Sequence, residues 1–117
     1  MTTVMLVDDS ATMLMSLKSI LTKAGFAVET AGHGKEALAK LAKGVKPNLI
    51  ITDVNMPQMD GITFVRQART EPGMRFTPML MLTTESEQTK RTEAKTAGAT
   101  GWLVKPVAPE QLLGVIK

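Results

Sequence analysis

Three carboxylates, a hydroxyl and an amine stand at the ends of apolar runs in this 117-residue chain. Asp8-Asp9 follows Val4-Met5-Leu6-Val7, and Asp53 follows Leu49-Ile50-Ile51-Thr52. Thr83 follows Met79-Leu80-Met81-Leu82, and Lys105 follows Trp102-Leu103-Val104. If these runs are parallel strands of one sheet, the polar residues share its carboxyl edge, where open α/β sheets bind ligands. Carboxylates packed that closely repel one another unless a cation neutralises them. Oxygen ligands from two or three carboxylates suit Mg²⁺, which keeps several waters and favours a phosphate as a further ligand. Lys105 adds positive charge and Thr83 a hydroxyl donor, which completes the parts needed to move a phosphoryl group onto a carboxylate nucleophile. Asp53 is the candidate nucleophile because it stands alone at its strand end, whereas the Asp8-Asp9 pair looks built to hold metal.

Each residue also has a plainer reading. Asp9 or Ser10 can be a helix N-cap, Asp53 a turn former, Thr83 a cap, and Lys105-Pro106 a solvated turn. The placement of all of them at the ends of the right runs favours the joint reading.

The elements that must position these groups follow from periodicity. Ser10 to Ala24 carries Met13, Leu17, Ile20, Leu21 and Ala24 at helical spacing, and Gly25 ends it. Ala27-Val28-Glu29-Thr30 alternates like a half-exposed edge strand. Lys35 to Lys43 reads as a helix with Ala37, Leu38, Leu41 and Ala42 inward, stopped by Gly44. Gly61 to Arg69 places Ile62, Val65 and Ala68 on one face before Glu71-Pro72-Gly73 breaks it. Thr84 to Glu87 fits a capping box and opens a fourth helix that runs to Ala97 and closes at Gly98. Pro109 suits the first turn of a final helix through Lys117. The uniformly apolar runs at 4, 49 and 79 suit central parallel strands, and those at 27 and 101 suit edges. Five alternating βα units imply an α/β fold, with a parallel sheet covered on both faces by right-handed crossovers. One domain over residues 1–117 is expected.

Composition narrows the classes. There is no cysteine, so disulfides and thiolate metal sites are excluded. No long apolar segment or signal-peptide pattern occurs, so a cytoplasmic protein without a membrane is expected. The net charge of +3 is spread through the helices, and aromatics make up only 3%. Stacking platforms for nucleic acid are therefore not expected, and an acidic protein partner is compatible with the charge.

The residues Val7-Asp8-Asp9, Asp53-Val54-Asn55-Met56-Pro57, Met59-Asp60-Gly61, Thr83 and Lys105-Pro106 together resemble the response-regulator receiver domain, most closely its single-domain, CheY-like chemotaxis branch. The resemblance spans the chain. It implies a flavodoxin-like (βα)5 fold with strand order 2-1-3-4-5. It implies that Asp53 is the phosphoacceptor for a phosphohistidine on a CheA-like histidine kinase, with Lys105 contacting the phosphoryl group. It implies Mg²⁺ held by Asp9, Asp53 and the Asn55 backbone carbonyl, and by Asp8 through water. Asn55 and Glu85 fall at positions that tune the lifetime of the aspartyl phosphate.

The same resemblance implies a readout. Thr83 turns to the phosphoryl group, and an aromatic residue three positions before the lysine, here Trp102, rotates into the space it leaves. Trp is bulkier than the usual Tyr or Phe, and its plain alternative is edge-strand packing. The fourth helix has only Ala94 and Ala97 as apolar residues from Ser86 onward, so it is expected to be weakly anchored. The fourth helix, fifth strand and last helix would then form the face for a phosphorylation-dependent target such as the flagellar motor switch, with a monomer expected. His33 reads as a solvated loop residue.

Three rivals remain in view. A Mg²⁺-dependent aspartyl phosphatase would need a second acid two residues after Asp53, where Asn55 stands. A flavodoxin would place a Ser/Thr/Gly-rich phosphate loop where Asp8-Asp9 stands. A receiver could also serve as a phosphate sink for a chemotaxis kinase.

Overall fold

The computed structural model describes residues 2–54, 59–83, 93, 95–104 and 109–116. Strands β1 (Thr3–Val7), β2 (Ala27–Ala31), β3 (Leu49–Asp53), β4 (Met79–Thr83) and β5 (Gly101–Val104) form one sheet in the order β2-β1-β3-β4-β5. Every pairing is parallel. Helices α1 (Ala11–Lys23), α2 (Gly34–Ala42) and α3 (Gly61–Ala68) are the crossovers described in full, and a last helix spans Pro109–Ile116. This is the flavodoxin-like arrangement.

The sheet separates two apolar layers because alternate strand residues point to opposite faces. Val4, Leu6, Ile51, Leu80, Leu82 and Leu103 pack with Leu17 and Leu21 of α1 and with Leu112 of the last helix. Met5, Val7, Ile50, Met79 and Met81 pack with Ala37 and Leu41 of α2, with Phe64 and Val65 of α3, and with Ala97. Strands β1 and β3 lie inside the sheet and are apolar on both sides, as burial on two faces requires. Edge strand β2 is half-buried from Ala27 to Thr30 instead of alternating. Ala24 and Ala42, expected inward, are exposed. Ala24 is the C-cap of α1 and Ala42 the last residue of α2.

Helix starts carry their own side-chain caps. Ser10 caps α1 by accepting from the Met13 N–H, and Asp60 caps α3 by accepting from the Thr63 N–H. His33 is half-buried and is the N-cap of α2. Its Nδ1 accepts from the Glu36 N–H at 3.2 Å, and Glu36 Oε1 accepts from the Gly32 N–H at 2.9 Å. The imidazole takes the N-cap place of a Ser or Thr, and Glu36 reaches one residue further back than in a capping box, to the Gly32 N–H.

One arginine organises the opposite end of the sheet. Arg69 follows α3, and its guanidinium donates to four carbonyls: Gly98, Met74, Arg75 and Thr77. It also donates to Thr100 Oγ1 at 3.3 Å, which in turn accepts from the Met79 N–H. The planar fork therefore fastens the α3–β4 connection to the segment that leads into β5. Burial lowers the Arg69 pKa from its ordinary value, but an arginine stays charged in any folded protein. Arg69→Met should lower unfolding free energy by about 2–4 kcal/mol, because the carbonyls lose a charged donor. Arg69→Lys should recover little of this, since an ammonium cannot span both segments. Urea denaturation of the two variants checks both expectations.

Candidate functional site

The site begins with the β1–β3 ladder. Val7 lies opposite Thr52, so the residues that follow, Asp8 and Asp53, emerge together at the carboxyl edge. Asp8 is 2% exposed and Asp53 8%, whereas Asp9 is exposed. One carboxylate oxygen from each of Asp8, Asp9 and Asp53 lies within 4.8 Å of the others.

Local hydrogen bonds hold the frame. The Asp8 N–H donates to the Ala31 carbonyl at the end of β2. Asp8 Oδ1 accepts from the Ser10 N–H at 2.9 Å, an Asx-type turn that fixes the carboxylate. Because Ser10 caps α1, the capping role open to Asp9 is filled by its neighbour. On the other side the Val54 N–H donates to the Leu82 carbonyl, which joins the end of β3 to β4.

Gly61 brings α3 under Asp53. Its N–H donates to the Val54 carbonyl at 2.7 Å, and a Cβ there would lie 2.0 Å from the Asp53 carbonyl oxygen. No side chain can occupy that space, so α3 can start this close to the end of β3 only on a glycine. Sequence reasoning placed Gly61 at the helix start but not against the nucleophile candidate. The Asp60-Gly61 pair marks a turn, and only the fold reveals the close approach.

The other anticipated residues divide by where they fall. Thr83 ends β4 opposite Val104, which places its backbone at the same sheet edge. Trp102 pairs with Met81 and packs, half-buried, against the layer that contains α2 and α3. Asn55, Glu85 and Lys105 lie outside the described residues, as do the 84–87 capping box and most of the fourth helix. Val104 ends β5 at the shared edge immediately before Lys105.

The arrangement is a cluster of hard oxygen donors with one exposed and two buried members. That donor set fits a hard divalent cation, since buried carboxylates at this spacing repel without one.

A doubly wound parallel sheet with an acidic cluster at the carboxyl ends of β1 and β3 defines a ligand-binding α/β protein of the flavodoxin-like kind. The family model for the response regulator receiver domain matches residues 4–117, and the chain belongs to that family. It is similar to the chemotaxis protein CheY1 of Helicobacter pylori, with 37% identity over 109 residues, 92% of this chain and 88% of that one. The structure of the Vibrio cholerae chemotaxis protein CheY4 superposes with a TM-score of 0.94 at 49% identity, covering 99% of this chain and 96% of that one. The receiver domain of the sensor histidine kinase PA1611 from Pseudomonas aeruginosa shares the fold at 24% identity and a TM-score of 0.89, covering 98% and 93%. That structure has a magnesium ion coordinated in its active site cleft. The chain is thus a CheY-like receiver, a signalling module of two-component phosphorelays.

The glycine contact has a direct test. Gly61→Ala should destabilise the fold by about 3 kcal/mol, because backbone must move to admit the methyl group. Gly114→Ala in the last helix meets nothing within 4 Å and should stabilise by up to about 1 kcal/mol through helix propensity. Parallel urea titrations check the opposite signs.

Proposed function

We propose that residues 1–117 act as one receiver domain that takes a phosphoryl group onto Asp53 from the phosphohistidine of a CheA-like histidine kinase. The observation that carries this reading is the meeting of Asp8, Asp9 and Asp53 at one sheet edge, with Asp53 buried at the end of a central strand. An Asp53 oxygen attacks phosphorus, the P–N bond breaks, and the imidazole departs and takes up a proton from solvent. The product is an aspartyl phosphate. Bound Mg²⁺ would supply positive charge to offset that of the phosphoryl oxygens. Asp9, Asp53 and the Asn55 carbonyl are its proposed ligands. Asp8, held by its turn to Ser10, is assigned to act through water. Lys105, next after β5, is assigned to a phosphoryl oxygen, and Asn55 and Glu85 to tuning the lifetime of the phosphate.

The chemistry is confined to the chain's own carboxylate, so the output is binding and not turnover of an outside substrate. Phosphorylation adds charge and acceptor oxygens at one point. Thr83 is assigned to bond the new group and Trp102 to respond. Trp102 supports that role by being half-buried, since any displacement changes its exposure. The face formed by the fourth helix, β5 and the last helix is proposed to bind a phosphorylation-dependent target in chemotaxis, with the flagellar motor switch as the specific candidate. Among the described residues no helix is long and apolar enough to cross a membrane. A monomer working in the cytoplasm, without nucleic acid, completes the reading.

The chain has one tryptophan, so its fluorescence reports on a single site. Adding a small phosphodonor with Mg²⁺ should change that fluorescence, and mass spectrometry should show one added phosphoryl group. Chelator and Asp53→Asn should abolish both signals. Thr83→Ala should keep phosphate uptake and lose most of the fluorescence change. Uptake that persists in Asp53→Asn would overturn the assignment of the acceptor.

A further inference from the structure

At the amino edge of the sheet, across the molecule from the carboxylates, a pocket of about 570 Å³ opens between the segments that lead into β3 and β4. We propose that it docks an acidic segment of a partner protein, with an apolar or aromatic side chain seated in the pocket and carboxylates placed against Lys46 and Arg75. This goes beyond the phosphoryl-transfer reading and does not depend on it.

Three features argue for a built site. First, Phe76 is 88% exposed, while its neighbour Met74 is 2% exposed. The loop is therefore anchored and yet turns an aromatic ring to solvent. Arg69 explains the direction, since it gathers the carbonyls of Met74, Arg75 and Thr77 inward. The Phe76 side chain is thus presented by a clamped backbone, which reduces the ordering cost of binding. Second, the Arg75 guanidinium lies over the Phe76 ring at 5.5 Å from its centroid. Ring and cation form one preassembled surface that meets an apolar group and an anion together. Third, the lining includes the cations Lys46 and Arg75 and no acidic residue. Neither cation is ion-paired among the described residues. Pro47 and Pro78 form part of the wall with fixed backbone torsions.

The charge pattern selects an acidic occupant, and the concavity selects a side chain. A nucleic-acid strand fits less well, because successive bases need a series of aromatic platforms and the pocket lining offers one, Phe76. The pocket lies at the opposite sheet edge from Asp53, so its occupant leaves the acidic cluster open. Docking there and phosphorylation can therefore coexist on one molecule.

The test uses the full chain, ¹⁵N-labelled, and three fluorescein-labelled dodecapeptides. One is Glu-rich with a central Phe, one has the same charge with Ala at the centre, and one is Lys-rich with a central Phe. The first should shift the amide resonances of Lys46, Gly73, Arg75 and Phe76, and bind at least tenfold tighter than the other two. Phe76→Ala and the Lys46→Glu, Arg75→Glu pair should each weaken it at least tenfold. All three positions are exposed, so the variants should fold normally, and their circular dichroism should match that of the parent. No shift at millimolar peptide, shifts mapping elsewhere, or equal binding of the Ala-centred peptide would overturn the proposal. So would tighter binding of a twelve-nucleotide thymidine strand that depends on Phe76.

Discussion

The pairing of Val7 with Thr52 is the constraint on which the site depends. It brings two buried carboxylates, Asp8 and Asp53, to the same end of adjacent strands. Like charges brought this close repel one another unless a cation lies between them. The frame that resists this repulsion is backbone. Asp8 is tied to Ala31, Val54 to Leu82, and Gly61 to Val54. A one-residue slip of β3 would exchange its two faces and remove Asp53 from the edge. Apolar burial on both sides of β1 and β3 therefore sets the register that the acidic cluster requires.

The two edges of the sheet solve opposite problems. At the carboxyl edge, negative charge is concentrated, and the chain ends closest to it are stiffened by turns and caps that use N–H donors. At the amino edge, carbonyls from a long connection converge, and Arg69 satisfies them with one cation. Gly98, at φ +113°, brings its own carbonyl within reach of the same guanidinium. A side chain at Gly98 would begin 3.1 Å from Arg69 Cγ. The arginine and the glycine are thus one device, as Gly61 and Asp53 are at the other edge.

Much of this was legible in residue order because strands buried on two faces must read as apolar runs. The runs at 4, 49 and 79 announced β1, β3 and β4, and their polar ends announced the acidic edge. Phe64 was missed as a core residue because an i, i+3 stripe through Ile62 and Val65 already accounted for one face of α3. Both Phe64 and Ile62 are buried, since that helix is covered over a wider arc. The N-cap role of His33 has no signal in a lone histidine before a glycine. The cap bond, and the separate reach of Glu36 back to the Gly32 N–H, are displayed only by the folded turn. Arg69 gave no local signal either. Its partners lie five to thirty-one residues away, and no periodicity encodes a side chain that gathers backbone carbonyls.

Arg69 also ties the chain before β5 to α3. The segment after β4 returns to described structure through Lys95, Thr96 and Ala97, and Ala97 is buried in the layer of α2 and α3. The next residue, Gly98, is held by two guanidinium N–H groups. The stretch that ends at Gly98 is therefore fixed to the end of α3. Trp102 shares the apolar layer of Ala97 and Met81. Small shifts between elements packed in this way are taken up as alternative packings and not as smooth deformation.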